Sequence, residues 1–122
     1  MHLFVYGTLK DAGRLTAVVG LQVNVRVIGA GTVGGVLYDA GDYPALQPST
    51  AADDRVRGLL LELDDAALAR LDAYEGVDGG LYVRQRCEVS TDDGAVQAAW
   101  VYVYNRHVGS LRRIAEWPPR RG

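Results

Sequence analysis

Apolar positions along this chain change their period several times, and each change marks a predicted element. Phe4-Val5-Tyr6 is an aromatic and β-branched run suited to a strand, and Gly7 then lifts the backbone limits that a Cβ imposes. The strand therefore closes in a tight loop, Gly7-Thr8-Leu9-Lys10. From Asp11 to Gly20 the apolar residues Leu15, Val18 and Val19 fall at rough helical spacing, enough for one or two turns. Gln22 to Ile28 alternates Val23, Val25 and Val27 with Asn24 and Arg26, the pattern of a half-buried strand. The glycine-rich stretch 29–35 leads into a further strand, Val36-Leu37-Tyr38-Asp39. No helix-forming segment follows these glycines and their spacing is wrong for a dinucleotide fingerprint, so they predict a bulge or a close backbone crossing in a curled sheet.

Gly41-Asp42-Tyr43-Pro44-Ala45-Leu46 carries turn chemistry and predicts a loop that holds an aromatic ring, extended in small and polar residues from Pro48 to Asp54. Arg55 to Leu63 is strand-like with Gly58 inside it. The clearest helix runs from Asp64 to about Tyr74, with Asp64 as N-cap, Leu63 and Leu68 as a hydrophobic staple and Gly76 as the stop. Leu81 to Val89 alternates as a strand with one wet face, Asp92-Asp93-Gly94 marks a hairpin turn, and Ala95 to Tyr104 is a strand covered on both faces. Ser110 to Trp117 predicts a short terminal segment with Leu111, Ile114 and Trp117 facing inward, and residues 118–122 a flexible tail.

Composition narrows what these elements can do. A chain of 122 residues with 48% in the hydrophobic set fits one domain, 1–122, and its many glycines and tyrosines favour a sheet-rich fold. A formal net charge of −2 provides no field to gather nucleic acid or an anionic membrane. Arg112, Arg113, Arg120 and Arg121 cluster at the end of the chain and read as a solvated tail rather than a phosphate site. No apolar run reaches the roughly 20 residues needed to cross a bilayer, and the start lacks a signal peptide, so a cytoplasmic location is expected. Cys87 has no second cysteine to pair with, and with His2 and His107 it makes no metal-spaced cluster; neither metal nor cofactor is expected. His107 reads as a surface histidine, and Cys87, on the apolar parity of its strand, as an inert thiol.

Two features carry possible chemistry. The first loop either ends a core strand in an ordinary turn or turns its peptide N–H groups toward a bound oxygen, with the Thr8 hydroxyl and the Lys10 cation at the rim. Glu75 stands at i+7 from Leu68 and i+4 from Leu71, so either it shares their apolar stripe or the helix frays after Tyr74 and leaves it in water. On the stripe, lost hydration and the helix dipole both favour its protonated form, giving a carboxylate able to take a proton from an amine near neutral pH.

Read together, Val5-Tyr6-Gly7-Thr8-Leu9-Lys10, Leu37-Tyr38-Asp39 with Tyr43-Pro44-Ala45-Leu46, Leu71-Asp72-Ala73-Tyr74-Glu75-Gly76, Tyr82-Val83-Arg84 and Val101-Tyr102-Val103-Tyr104-Asn105 resemble the gamma-glutamylcyclotransferase-like superfamily, in particular its gamma-glutamylaminecyclotransferase (AIG2-like) branch. The resemblance implies an α+β fold, a small mixed β-barrel with one or two short helices. It implies that Tyr6, Gly7, Thr8 and Leu9 hold a glutamyl group largely through main-chain atoms, that Glu75 is the proton acceptor, and that Tyr43 and Tyr82 wall the pocket. The implied reaction releases 5-oxoproline from a small γ-glutamyl amine by attack of its own α-amine, which requires neither a serine nor a metal. Two other readings stand beside it: the same cavity binding an amino-acid-like ligand without turnover, and a protein interaction module. The oligomeric expectation is a monomer or a homodimer.

Overall fold

A computed structural model describes residues 1–20 and 24–118, apart from the Thr8 side chain. Its elements in order are β1 (His2–Val5), a 3₁₀ turn at Thr8–Lys10, α1 (Ala12–Val19), β2 (Val25–Asp39), β3 (Pro44–Pro48), β4 (Arg55–Leu63), α2 (Asp65–Tyr74), β5 (Tyr82–Thr91), β6 (Val96–Tyr104) and β7 (Arg112–Ile114). Five of the strands close a barrel in the order β2-β4-β1-β6-β5, with β2 and β5 meeting at Gly31–Thr91 and Thr32–Ser90. The β1–β6 pair is parallel and the other pairs are antiparallel, so the barrel is mixed, as expected.

Two apolar layers explain why the strands read as nearly continuous hydrophobic runs. Phe4, Val33, Leu60, Val89 and Val101 come from all five barrel strands and meet inside it. The alternate residues Leu3, Val5, Leu61, Leu63, Tyr82 and Tyr102 face outward and are covered by Leu15 and Val19 of α1 and Leu68 and Leu71 of α2. Central strands buried on both faces have no wet parity to display. The expectation of one wet face along β5 holds at Arg86 and Glu88, which are exposed, and fails at Tyr82, which is buried beneath the helices.

β2 is a single 15-residue strand rather than two. A register shift between Val27 and Gly29 bulges it, and a Cβ at Gly31 or Gly34 would stand 2.7 or 2.6 Å from the carbonyl oxygens of Ser90 and Ser49. Bulge and close crossing, offered as alternatives, both occur. Beyond the barrel the same strand carries β3 on one edge and β7 on the other. The expected loop over residues 41–54 is thus corrected at Pro44–Pro48, where a prolines-at-both-ends segment serves as an edge strand, a place that tolerates missing N–H donors. Arg112 and Arg113 are exposed, as expected, but stand on β7 rather than in a tail, and Arg113 pairs with Asp54 at 2.8 Å. The proposed strand start at 22–23, Arg120, Arg121 and the tail past Pro118 lie outside the described residues. Among those described, no helix is long and apolar enough to cross a membrane.

Candidate active site

Local chemistry at the end of α2 decides where Glu75 points. Asp64 caps the helix start by accepting from the Ala67 amide at 2.8 Å, and Leu63 and Leu68 lie in one apolar cluster. At the other end Gly76 takes φ +68°, while Gly76 N–H and Val77 N–H donate back to Ala73 and Asp72 carbonyls. This left-handed stop makes Glu75 the last residue of the helical spiral instead of a frayed one. The connector that follows is pinned at Gly80, whose carbonyl accepts from Asn105 Nδ2 at 3.0 Å and Arg106 Nη1 at 3.1 Å.

A cavity of about 170 Å³ opens between that helix end, the first loop and the lip of β3. Tyr6, Gly7, Leu9, Tyr43, Glu75 and Tyr82 all line it, together with Asp42, Pro44, Tyr74, Leu81 and Tyr102, which the sequence reading did not single out. The Thr8 main chain forms the 3₁₀ turn beneath Lys10 N–H, which donates to the Gly7 carbonyl at 3.1 Å. Gly7 is required by a close approach: a Cβ there would stand 2.9 Å from Pro44 Cγ. The Tyr82 hydroxyl donates to the Pro44 carbonyl and so holds that ring against the loop. Tyr43, Tyr82 and Tyr104 pack edge-on and tilted, with centroids 5.6 to 6.2 Å apart.

Lys10, expected at the rim, does not line this cavity; its Nζ donates to the Trp117 carbonyl at 2.6 Å. The other rejected candidates also lie elsewhere. His107 is exposed, and Cys87 packs on the barrel core, where burial pushes its thiol up to about 11. Among the described residues no group of three or more His, Cys, Asp or Glu side chains could hold a metal ion.

Burial raises the Glu75 carboxyl from its ordinary 4.5 to about 7. Burial, reinforced by Glu75, also holds the Tyr82 and Tyr102 phenols far above neutrality, and Tyr6 with them. Glu75 is then the lining group able to exchange a proton at pH 7, since the phenols stay protonated.

The same shift affects stability. The folded chain holds the Glu75 proton more tightly than the unfolded chain, so the stabilisation is complete below pH 4.5 and is lost as pH rises through 7. The full effect is up to about 3 kcal/mol, reduced by the part of the carboxylate that remains wet. Urea midpoints at pH 5 and pH 8 check this: the wild type is expected to lose stability relative to Glu75→Gln across that interval.

Comparison with known proteins adds to this geometry. Residues 3–118 match the family model described as gamma-glutamyl cyclotransferase, AIG2-like. The chain is 33% identical to a gamma-glutamylcyclotransferase family protein, YtfP, of Escherichia coli K12, over 98% of both chains. Its fold is similar to that of an AIG2-like protein from Mus musculus, with a TM-score of 0.76 at 23% identity over 95% of this chain and 86% of that one. A solved structure named gamma-glutamyl cyclotransferase is similar with a TM-score of 0.72 at 16% identity, over 93% of this chain and 69% of the other.

Proposed function

The chain belongs to the gamma-glutamyl cyclotransferase, AIG2-like family, and from that premise we propose that it releases 5-oxoproline from a small γ-glutamyl amine, with Glu75 as general base. One observation carries this reading: a half-buried carboxylate poised near pH 7 shares a small cavity with Gly7 and Leu9 of the first loop. The substrate brings its own nucleophile. Glu75 takes a proton from the α-ammonium, the freed amine attacks the γ-carbonyl, and the developing oxyanion is met by N–H groups of Gly7-Thr8-Leu9. As the tetrahedral centre collapses, the C–N bond to the leaving amine breaks; that nitrogen takes the proton held by Glu75 and the second proton shed by the ring nitrogen, so it departs as an ammonium ion and the ring keeps one N–H. Atoms and charge balance without a cofactor, and the carboxylate returns to its starting state. Tyr43 and Tyr82 wall the chamber, and their rings lower the local dielectric, which strengthens each of these interactions.

Incubating the purified protein with a panel of γ-glutamyl amines, including γ-glutamyl-lysine, and measuring 5-oxoproline tests the reading. Catalytic release from at least one member is expected. Saturable binding with no product would instead make the cavity a receptor for an amino-acid-like ligand.

A further inference from the structure

Three of the hydroxyls around the cavity have their protons committed to the protein. Tyr82 donates to the Pro44 carbonyl, Tyr6 to the Tyr102 carbonyl at 2.5 Å, and Tyr102 to Asp72 Oδ1 at 2.7 Å. Tyr6 is occupied in both senses, because the Leu46 main chain also bonds to its oxygen. Tyr82 and Tyr102 differ from it: with the proton turned away, each can present only lone pairs to a ligand. The described cavity wall adds two carboxylates, Asp42 and Glu75, and no lysine or arginine. This side of the wall, with Tyr82, Tyr102 and the two carboxylates, accepts hydrogen bonds and suits a primary ammonium.

The direction of the Tyr102 hydroxyl is itself enforced. Asp72 lies three residues before Glu75 on α2, hence on the same side of the helix one turn back. Its other oxygen, Oδ2, meets Arg84 Nη2 at 3.4 Å, and Arg84 stacks at 4.7 Å on the Trp100 ring, against which Arg86 also lies. With Oδ2 turned to Arg84, Oδ1 is the oxygen that accepts from Tyr102, and that bond draws the phenol proton outward.

Resting on the cyclotransferase reading, we propose that the Tyr102 oxygen accepts a hydrogen bond from the substrate α-ammonium, with Asp72 and Arg84 as positioning residues that keep its proton out of the cavity. Recognition then depends on the charged amine that the reaction consumes. Once that nitrogen has become a lactam N–H its positive charge is gone, so the wall loses its hold on the product and keeps it on the substrate.

The test compares γ-glutamyl-butylamide with the analogue lacking the α-amine, glutaric acid mono-butylamide. Dissociation constants are measured by calorimetry in a Glu75→Gln background, which blocks turnover, with wild-type turnover of the first compound as a separate control. Tyr102→Phe is expected to weaken binding of the amine-bearing ligand about tenfold to a hundredfold and that of the analogue less than twofold. Asp72→Ala, which frees the phenol proton to turn inward, should give the same selective loss, and Asp72→Asn, whose carbonyl oxygen can still accept, should restore most of it. Equal weakening of both ligands, or no change in either, overturns the proposal. Should Tyr102→Phe fail to fold, the Asp72 pair decides between the same outcomes. Absence of wild-type turnover would remove the reading beneath it, whereas turnover with unselective losses would remove this inference alone.

Discussion

Glu75→Gln is expected to slow 5-oxoproline release by about 10² to 10⁴-fold, the usual contribution of a positioned general base. The amide keeps the shape and most of the packing of the carboxyl group but cannot take the ammonium proton. Because burial penalises the ionised form of Glu75, the same substitution should leave the chain at least as stable at pH 8 as the wild type, with a higher melting temperature. Lost activity with undiminished stability is the signature of a group kept for chemistry. A variant that is inactive because it unfolds would show the opposite sign, so one melting curve beside one assay separates the two. In the wild type kcat/KM should rise with pH through about 7 as the carboxyl ionises. A flat profile between pH 6 and 8 would remove Glu75 from the role of base.

The largest effect on stability is expected at Gly58, in the middle of β4. A Cβ there would lie 2.3 Å from the Val5 carbonyl oxygen and 2.7 Å from the Phe4 ring, both fully packed and neither able to yield without moving β1. Gly58→Ala should destabilise by at least about 3 kcal/mol, at the upper end of overpacking costs, read as a lower urea midpoint with little change in slope. The displaced strand leads directly into Tyr6 and Gly7, so substrate binding should weaken along with stability. Gly29 is the matched control. Nothing stands within 4 Å of a Cβ at that position, and Gly29→Ala should stay within about 1 kcal/mol of wild type.

Much of this was legible in the sequence because the local signals there were strong and agreed. Asp64, the leucine stripe and Gly76 delimited α2 to within a residue, and the placement of Glu75 on its last turn followed from counting. β4 and the β5–β6 hairpin were equally plain, since their apolar runs end at turn residues. What escaped had weak local signals overridden by distant partners. β3 looked like a loop because of its prolines, and only the long arm of β2 beside it makes it a strand. The glycines of β2 announced the bulge and the close crossing, but they hid that the strands on either side of them are one. Lys10 was placed at the rim by its nearness to Gly7 along the chain, whereas a carbonyl more than a hundred residues away holds its ammonium. Tyr102 appeared only within the block Val101-Tyr102-Val103-Tyr104-Asn105, and nothing in it told which tyrosine would reach the cavity.

The parallel pairing of β1 with β6 joins Leu3 to Trp100 and Phe4 to Val101. While the chain is being made, its first strand can zip to β4 once residue 62 has emerged, but its other edge stays bare until the ribosome has delivered residue 101. That open flank carries Leu3, Phe4 and Val5, a short adhesive segment. Crowded synthesis on a polysome is therefore the stage at which this small barrel most needs a chaperone, and moving its termini by circular permutation, so that β6 precedes β1, would shorten the wait.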